Sequence, residues 1–148
     1  MFDANSPVGV LDSGIGGFSV ARAGQQLLPA EQLIYFGDRA HIPYGNHPED
    51  KIVAMARDMF SFLEQKQVKA LLVACNTISC VIDRCAHAVS CPTFNAVQAG
   101  ANAVSQLDVE KVGVISTVFT HNSRCYPQRI LAQSPKKLVV LSCGCPDL

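Results

Sequence analysis

Polar and thiol side chains follow several of the apolar runs in this chain, at the point where each run ends. They are Asp12 and Ser13, Tyr44 and Gly45, Cys75, Asn76 and Thr77, and Thr117 and Thr120. If the runs are parallel strands, their carboxyl ends meet at one edge of a sheet, which is where such sheets bind ligands. Carboxylate, hydroxyl and amide groups suit a small polar molecule, so the sequence predicts a ligand pocket at this edge.

The thiol of Cys75 is the group in this set best suited to proton transfer or nucleophilic attack. It lies between a predicted strand and a predicted helix, where unpaired backbone amides and the helix dipole favour a thiolate. The sequence therefore predicts that Cys75 is the most reactive of the seven cysteines and that its pKa is lowered. Cys80, Cys85 and Cys91 are predicted to be small core residues instead.

Short apolar runs alternate with amphipathic stretches along the chain, which is typical of successive strand–helix units. Strands are predicted at 8–11, 33–36, 70–74, 93–95, 112–115 and 138–141. Helices are predicted over 19–28 and from Pro48 onward, because proline followed by two acids is typical of a helix start. Helical spacing places five apolar side chains on the buried face of the second helix: Ile52, Met55, Ala56, Met59 and Leu63.

This pattern predicts an α/β fold with a doubly wound parallel sheet covered by helices on both faces. A crossing between domains is expected within 95–99. The chain would then consist of a first domain, 1–96, and part of a second, similar domain, 97–148.

Composition excludes several other classes of protein. Apolar residues make up 49% of the 148 residues and charged residues only 16%, which is incompatible with a disordered chain. Twelve basic side chains balance twelve acidic ones, so no net field attracts nucleic acid or an anionic membrane. Residues 1–7 lack the apolar stretch of a signal peptide, and the apolar runs are too short to span a bilayer. The odd number of cysteines favours a reduced, cytoplasmic thiol protein.

A nucleotide site is a weaker alternative for the glycine-rich loop. Gly14, Gly16 and Gly17 lie where a dinucleotide-binding loop would, and Asp38 is placed like a ribose-binding acid. However, Ser19 replaces the third glycine of that motif, and an aspartate at the mouth of the loop would repel a pyrophosphate.

A zinc site is a second weak alternative. Four soft ligands are available in His121, Cys125, Cys143 and Cys145. Their spacing differs from that of common zinc motifs, and we expect no metal.

Four motifs in order resemble those of bacterial glutamate racemases, in the aspartate/glutamate racemase family. They are VLDSGIGGFSV at 10–20, YFGD at 35–38, PYG at 43–45 and ACNT at 74–77. The stretch VGVISTVFTHNS at 112–123 is similar to the family more loosely. The resemblance extends from about Val8 to the end of the chain.

The resemblance implies a two-domain α/β enzyme, usually a dimer, that interconverts L- and D-glutamate for peptidoglycan synthesis without a cofactor. It implies that Cys75 is the thiol on one face of the substrate α-carbon and that Asp12 assists its proton transfer. A small acidic amino acid would be held by Asp12, Ser13, Tyr44, Gly45, Asn76 and Thr77, to which the strand-end argument adds Thr117 and Thr120.

The chain departs from the family pattern in its later part. The family's second thiol lies in a downstream Cys-Thr-His motif, which this sequence lacks, and Cys143-Gly144-Cys145 differs from it. Pro127 falls within what should be a helix in the family. We therefore expect a fragment or a shortened relative that does not racemise glutamate by itself. A single-thiol proton-exchange enzyme or decarboxylase, and a catalytically silent module that binds an amino acid or nucleotide, stay open as alternatives.

Overall fold

The computed structural model of the chain describes residues 3–146, which form two parallel sheets. The first lies in an N-terminal unit, residues 3–95, with β1 Val8–Asp12, α1 Phe18–Leu27, β2 Leu33–Gly37, α2 Glu49–Gln65, β3 Ala70–Val73, α3 Asn76–Ser79 and β4 Thr93–Asn95. The second lies in a C-terminal unit, residues 96–146, with α4 Ala96–Ser105, β5 Lys111–Thr117, α5 Val118–Ser123, α6 Cys125–Gln133 and β6 Val139–Cys145. Short 3-10 helices occur at Tyr44–Asn46, Ile82–Arg84 and Ala86–Ala88. The α/β fold class is confirmed.

The strand order of the N-terminal sheet determines where its ligand site lies. All neighbours are parallel and the order is β2-β1-β3-β4. From β1 the chain first moves outward to β2 and then returns to the other side of β1 to form β3. A crevice forms at the carboxyl ends of strands where the winding reverses in this way. Asp12 at the end of β1 and Cys75 after β3 border that crevice.

Helix α2 supplies most of the N-terminal core. The helical spacing seen in the sequence is confirmed, because Ile52, Met55, Ala56, Met59 and Leu63 are all buried. Pro48 precedes the first helical residue, and Glu49 and Asp50 occupy the first turn, where their charges complement the helix dipole. Burying this stripe against the sheet provides the main hydrophobic stabilisation of the unit.

The opposite face of the N-terminal sheet is less covered than expected. Helix α1 buries none of its residues, and Phe94 on β4 is 59% exposed. The doubly wound α/β arrangement is confirmed, and α1 contacts β2, but it leaves this face partly open within residues 3–146.

The two strands of the C-terminal unit also differ from the prediction of fully buried strands. Val112, Val114 and Val140 pack against α4 and α6, but Ile115 is 74% exposed and Leu141 is 62% exposed. Side chains of a strand alternate between faces, so one face of the β5–β6 sheet lies open within the described residues.

The helix after Cys75 is shorter than predicted. Helix α3 has four residues, and two 3-10 turns follow it. Arg124 adopts a left-handed conformation with φ of 57° and separates α5 from α6, so Pro127 lies in the first turn of α6, where a proline is tolerated. No helix among residues 3–146 is long and apolar enough to cross a membrane.

Candidate active site

Cys75 lies at the bottom of the crevice between β1 and β3. It is the N-cap residue of α3, and its Sγ accepts a hydrogen bond from the backbone amide of Ile78 at 3.4 Å. The same sulfur lies 3.2 Å from Ser13 Oγ, to which the thiol donates. The side chain is 4% exposed. The structure thus brings together two residues that are 62 positions apart in sequence, as the strand-end argument predicts.

The prediction of a lowered Cys75 pKa is wrong. Burial raises the pKa of the thiol, and the negative charge of Asp12 raises it further. The hydrogen bond with Ser13 and the one from the Ile78 amide lower the pKa, but they do not outweigh burial. The position of Cys75 at a helix start predicts the hydrogen bonds that lower its pKa. The burial that raises the pKa depends on tertiary packing, which the local sequence does not reveal.

Asp12 organises the loop that follows β1. Its Oδ2 accepts hydrogen bonds from the backbone amides of Gly14 at 3.0 Å and Gly17 at 3.1 Å. Gly17 lies so close that an added Cβ would be 2.6 Å from the Asp12 Cβ. The glycines therefore let the loop wrap around a buried carboxylate, which is a use for them other than binding a pyrophosphate.

Tyr35 reports on the charge in this region. Its hydroxyl donates to the Gly14 carbonyl at 2.8 Å. Burial, together with the negative charges of Asp12 and Cys75, raises the pKa of Tyr35 to about 12. Because Asp12 and Cys75 both raise the pKa of Tyr35, the two residues lie in one cluster. This is the arrangement expected if Asp12 assists Cys75.

Tyr44 is anchored by Asp38. The Tyr44 hydroxyl donates to Asp38 Oδ2 at 2.7 Å, and His41 Nδ1 lies 2.7 Å from the same oxygen. Burial alone would raise the pKa of Asp38, but the hydrogen bonds from Tyr44 and His41 outweigh it and lower the pKa. Asp38 thus holds its own loop, and this does not support its assignment as a ribose-binding acid.

Residues of the C-terminal unit close the crevice from the other side. Thr117 is the N-cap residue of α5 and accepts a hydrogen bond from the amide of Thr120 at 3.2 Å. Its Oγ1 lies 3.4 Å from Thr77 Oγ1, on the first turn of α3. A Cβ on Gly45 would be 2.9 Å from the Thr117 Cβ. Thr117 therefore contacts two other predicted site residues.

Two residues that the sequence analysis missed connect the units beside Cys75. The Tyr126 hydroxyl donates to Asn76 Oδ1 at 2.6 Å, so the exposed Asn76 has a partner on α6. Ser79 Oγ donates to the Cys75 carbonyl at 2.7 Å and accepts from the Ala96 amide at 3.2 Å. Ser79 follows Cys75 by one helical turn, a spacing that could have indicated it, whereas Tyr126 had no signal in the sequence.

The cysteines of the two units differ from the expectation of thiols that are all reduced. Cys80 and Cys125 form a disulfide, so Cys80 is not a simple core residue. Cys85 and Cys91 are buried, as predicted. The zinc alternative loses Cys125 to this bond, and residues 3–146 contain no group of three potential ligands that could hold a metal.

A cavity at the junction of the units lies beside this cluster. It measures about 450 Å³ and is bordered by Asn76 and Thr117 at one end, while Val112, Val114 and Ile130 form much of its wall. Neither Cys75 nor Asp12 lines it. The reactive groups of the crevice therefore lie in the hydrogen-bonded cluster around Cys75, outside this cavity.

A family model described as Asp/Glu/Hydantoin racemase matches residues 18–148. The chain belongs to this racemase family. Among curated members, glutamate racemase from Pediococcus pentosaceus is 39% identical over 145 residues, which are 97% of this chain and 54% of the relative. Glutamate racemase 3 from Caldanaerobacter subterraneus subsp. tengcongensis is 37% identical over 96% of this chain and 51% of the relative.

Solved structures of family members share the architecture. A glutamate racemase from Bacillus anthracis superimposes with a TM-score of 0.90 at 36% identity, covering 97% of this chain and 55% of that one. A glutamate racemase from Francisella tularensis in complex with D-glutamate gives a TM-score of 0.85 at 40% identity, covering 95% and 54%. The chain thus spans about half the length of the racemases that it matches.

Proposed function

We propose that this chain contributes Cys75 as one of the two acid–base groups of a cofactor-independent glutamate racemase. The observation that supports the proposal is the Cys75–Ser13 contact at the point where the strand order reverses, with the carboxylate of Asp12 acting on the same cluster. Glutamate is proposed as the substrate because the related enzymes carry that name and one was solved with D-glutamate.

The raised pKa of Cys75 suits one half of the proposed reaction. A thiol that keeps its proton in a buried site can donate it to a carbanion at the α-carbon. In the other direction the thiolate removes the α-proton, and the donors at Ser13 and Ile78 stabilise that charge. Asp12, which raises the thiol pKa through its own charge, is proposed to take part in the same proton transfer.

The surrounding polar groups are proposed to hold the amino acid. Short side chains and backbone donors fixed by the fold stabilise a developing negative charge without reorganising during the reaction. The proposed substrate-binding residues are Asp12, Ser13, Tyr44, Gly45, Asn76, Thr77, Thr117 and Thr120. The contact of Thr117 with Thr77 and Gly45 supports a site formed by both units.

Inversion needs a second acid–base group on the opposite face of the α-carbon. We propose that residues 1–96 correspond to the first domain of the enzyme and 97–148 to part of the second, and that the second thiol belongs to the additional length of the relatives. The proposed wider role is the cytoplasmic supply of D-glutamate for peptidoglycan synthesis by a dimeric enzyme, and it rests on membership of the family.

Proton NMR of L-glutamate in D2O tests the proposal. We expect slow exchange of the α-proton in the presence of the chain, lost in Cys75→Ser and Asp12→Asn and retained in the buried control Cys85→Ser. Polarimetry should show little loss of optical activity, because a lone thiol serves one face.

Three other outcomes would contradict parts of the proposal. Unchanged exchange in Cys75→Ser would remove this thiol from the mechanism. Absence of exchange in the wild-type chain would favour a silent binding module. Full racemisation would mean that a second group lies within the 148 residues, and Cys143 and Cys145 would be substituted next.

A further inference from the structure

We propose that Cys80 and Cys125 form a reversible redox latch that controls access to the Cys75 crevice. The two cysteines are bonded in the structure, with their Cα atoms 5.5 Å apart, within the range of about 4.4–6.8 Å that a disulfide requires. Cys80 follows the last residue of α3, and Cys125 is the first residue of α6. The bond therefore ties the N-terminal unit to the C-terminal unit.

The disulfide lies close enough to the crevice to restrict its opening. Helix α3 consists of four residues, with Cys75 at one end and Cys80 at the other. Tyr126, next to Cys125, donates to Asn76 on the same short helix. Thr77 on α3 contacts Thr117, which immediately precedes α5, the helix before α6. A bond between α3 and α6 therefore also restricts the separation of Thr77 from Thr117 at the mouth of the crevice.

In the reduced chain, noncovalent contacts alone hold this boundary closed. They include the close approach of Gly45 to Thr117, the hydrogen bond from the Ala96 amide to Ser79, the 3.4 Å contact between the Thr77 and Thr117 hydroxyls, and the hydrogen bond from Tyr126 to Asn76. The Cys80–Cys125 bond, next to the Tyr126–Asn76 hydrogen bond, keeps α3 and α6 together even when these contacts break. Local openings that must separate α3 from α6 therefore become rarer when the disulfide is present.

Accessibility separates this pair from the buried cysteines. Cys80 and Cys125 are both partly exposed, whereas Cys75, Cys85 and Cys91 are buried. A cavity of about 320 Å³ opens beside them, with Asp83 and Arg129 also in its wall. A low-molecular-weight disulfide of the glutathione class can therefore approach Cys80 and Cys125 more readily than Cys75.

The proposed chemistry is thiol–disulfide exchange. The thiolate of one cysteine attacks a sulfur of the small disulfide, forming a mixed disulfide and expelling one small thiolate. The second cysteine then attacks the mixed disulfide, closes the Cys80–Cys125 bond and expels a second small thiolate. Two protein thiols are oxidised, one small disulfide is reduced to two thiols, and the protons from the protein pass to the released thiolates.

The test compares one polypeptide in two redox states, so no variant has to fold differently. The chain is equilibrated with reduced or oxidised glutathione, and non-reducing peptide mapping reports the Cys80–Cys125 link. After removal of the small thiols, iodoacetamide labelling of Cys75 is followed at constant pH. We expect labelling of Cys75 to be about ten-fold slower in the oxidised chain, since it requires a local opening.

Matched variants locate the effect. Cys80→Ser and Cys125→Ser should label at the fast rate under both conditions, whereas Cys91→Ser should retain the ten-fold difference of the wild type. Labelling of the exposed Cys143 should not change with redox state.

Two results would overturn the inference: no Cys80–Cys125 peptide under oxidising conditions, or equal Cys75 labelling rates with and without the link. The readout is accessibility and does not require turnover. A failure of the latch can therefore be distinguished from a failure of the proposed racemase function.

Discussion

Cys75 has two kinds of neighbour with opposite effects on its pKa. Ser13 and the Ile78 amide stabilise the thiolate, as expected at a helix start, while burial and the charge of Asp12 favour the thiol. The thiol form prevails because the side chain is 4% exposed and desolvation penalises its charge. A proton is thus stored next to the site where the proposed reaction needs it.

This balance predicts the pH dependence of Cys75 alkylation. Since only the thiolate reacts, the rate at Cys75 should reach half its maximum above the ordinary cysteine pKa of 9.0. Asp12→Asn should shift that midpoint to lower pH by removing a negative charge, and Ser13→Ala should shift it upward. Iodoacetamide labelling with peptide mapping across pH measures both shifts. A midpoint below 9.0 in the wild type would show that burial does not dominate the pKa of Cys75.

Cys85 makes a separate prediction about alkaline stability. Burial raises the pKa of Cys85 from 9.0 to about 11. Between these values the folded chain keeps a proton that the unfolded chain has lost, so the free energy of unfolding falls as pH rises through this window. For one such group the loss is about 2 kcal/mol.

Urea unfolding below pH 9 and near pH 11 measures this loss. Cys85→Ala should weaken the dependence on pH, whereas Val89→Ala, a buried variant without a titrating group, should lower stability equally at both pH values. An unchanged slope in Cys85→Ala would assign the alkaline sensitivity to other groups.

At the level of elements, the site depends on how the loop before α2 meets the start of α5. Asp38 holds Tyr44 in this loop through the 2.7 Å hydrogen bond. The next residue, Gly45, brings its backbone against Thr117. The fit requires a residue without a side chain at position 45 because of this close approach.

Gly45→Ala should therefore disturb the junction. The new Cβ would be 2.9 Å from the Thr117 Cβ, an overlap whose relief costs about 1–3 kcal/mol. We expect a lower midpoint of thermal unfolding and faster labelling of Cys75, because the crevice opens more easily.

Gly113→Ala is the matched control, since a Cβ there would meet nothing within 4 Å. It should change stability by less than about 0.5 kcal/mol. Equal effects of the two alanine substitutions would show that the contact with Thr117 is unimportant.

The sequence predicted those elements whose pattern depends on local periodicity. Helix α2 has its apolar stripe at the expected positions, and β4 occupies Thr93–Asn95 as predicted. The sequence also predicted that four polar residues meet at one crevice, because strand ends converge in any parallel sheet. These residues are Ser13, Cys75, Thr77 and Thr117. The Tyr126–Asn76 and Cys80–Cys125 contacts could not be predicted, since they depend on how α6 packs against α3. The burial of Cys75 could not be predicted from local sequence either, because it depends on how distant segments pack around the residue.

For the molecule as a whole, the distribution of apolar surface is uneven. The N-terminal unit has an extensive core around α2, whereas the fully buried core of the C-terminal unit consists of Ala101, Ile130 and Leu138. Ile115 and Leu141 lie on the open face of β5–β6. Apolar side chains exposed together on a sheet favour association with other surfaces.

The 148-residue chain should therefore self-associate through this face. Ile115→Lys and Leu141→Lys should each shift the chain toward the monomer in size-exclusion chromatography with light scattering, without lowering its thermal stability. Val140→Lys, which replaces a side chain packed against the helices, should instead unfold the C-terminal unit. Persistent oligomers in the Ile115→Lys, Leu141→Lys double variant would place the contact elsewhere.

The approach of Gly45 to Thr117 also restricts which substitutions the chain can accept. The two positions lie in different units, yet a larger side chain at position 45 has room only if the Thr117 side chain moves. Whether the chain tolerates a substitution at position 45 therefore depends on the side chain at position 117, far away in the sequence.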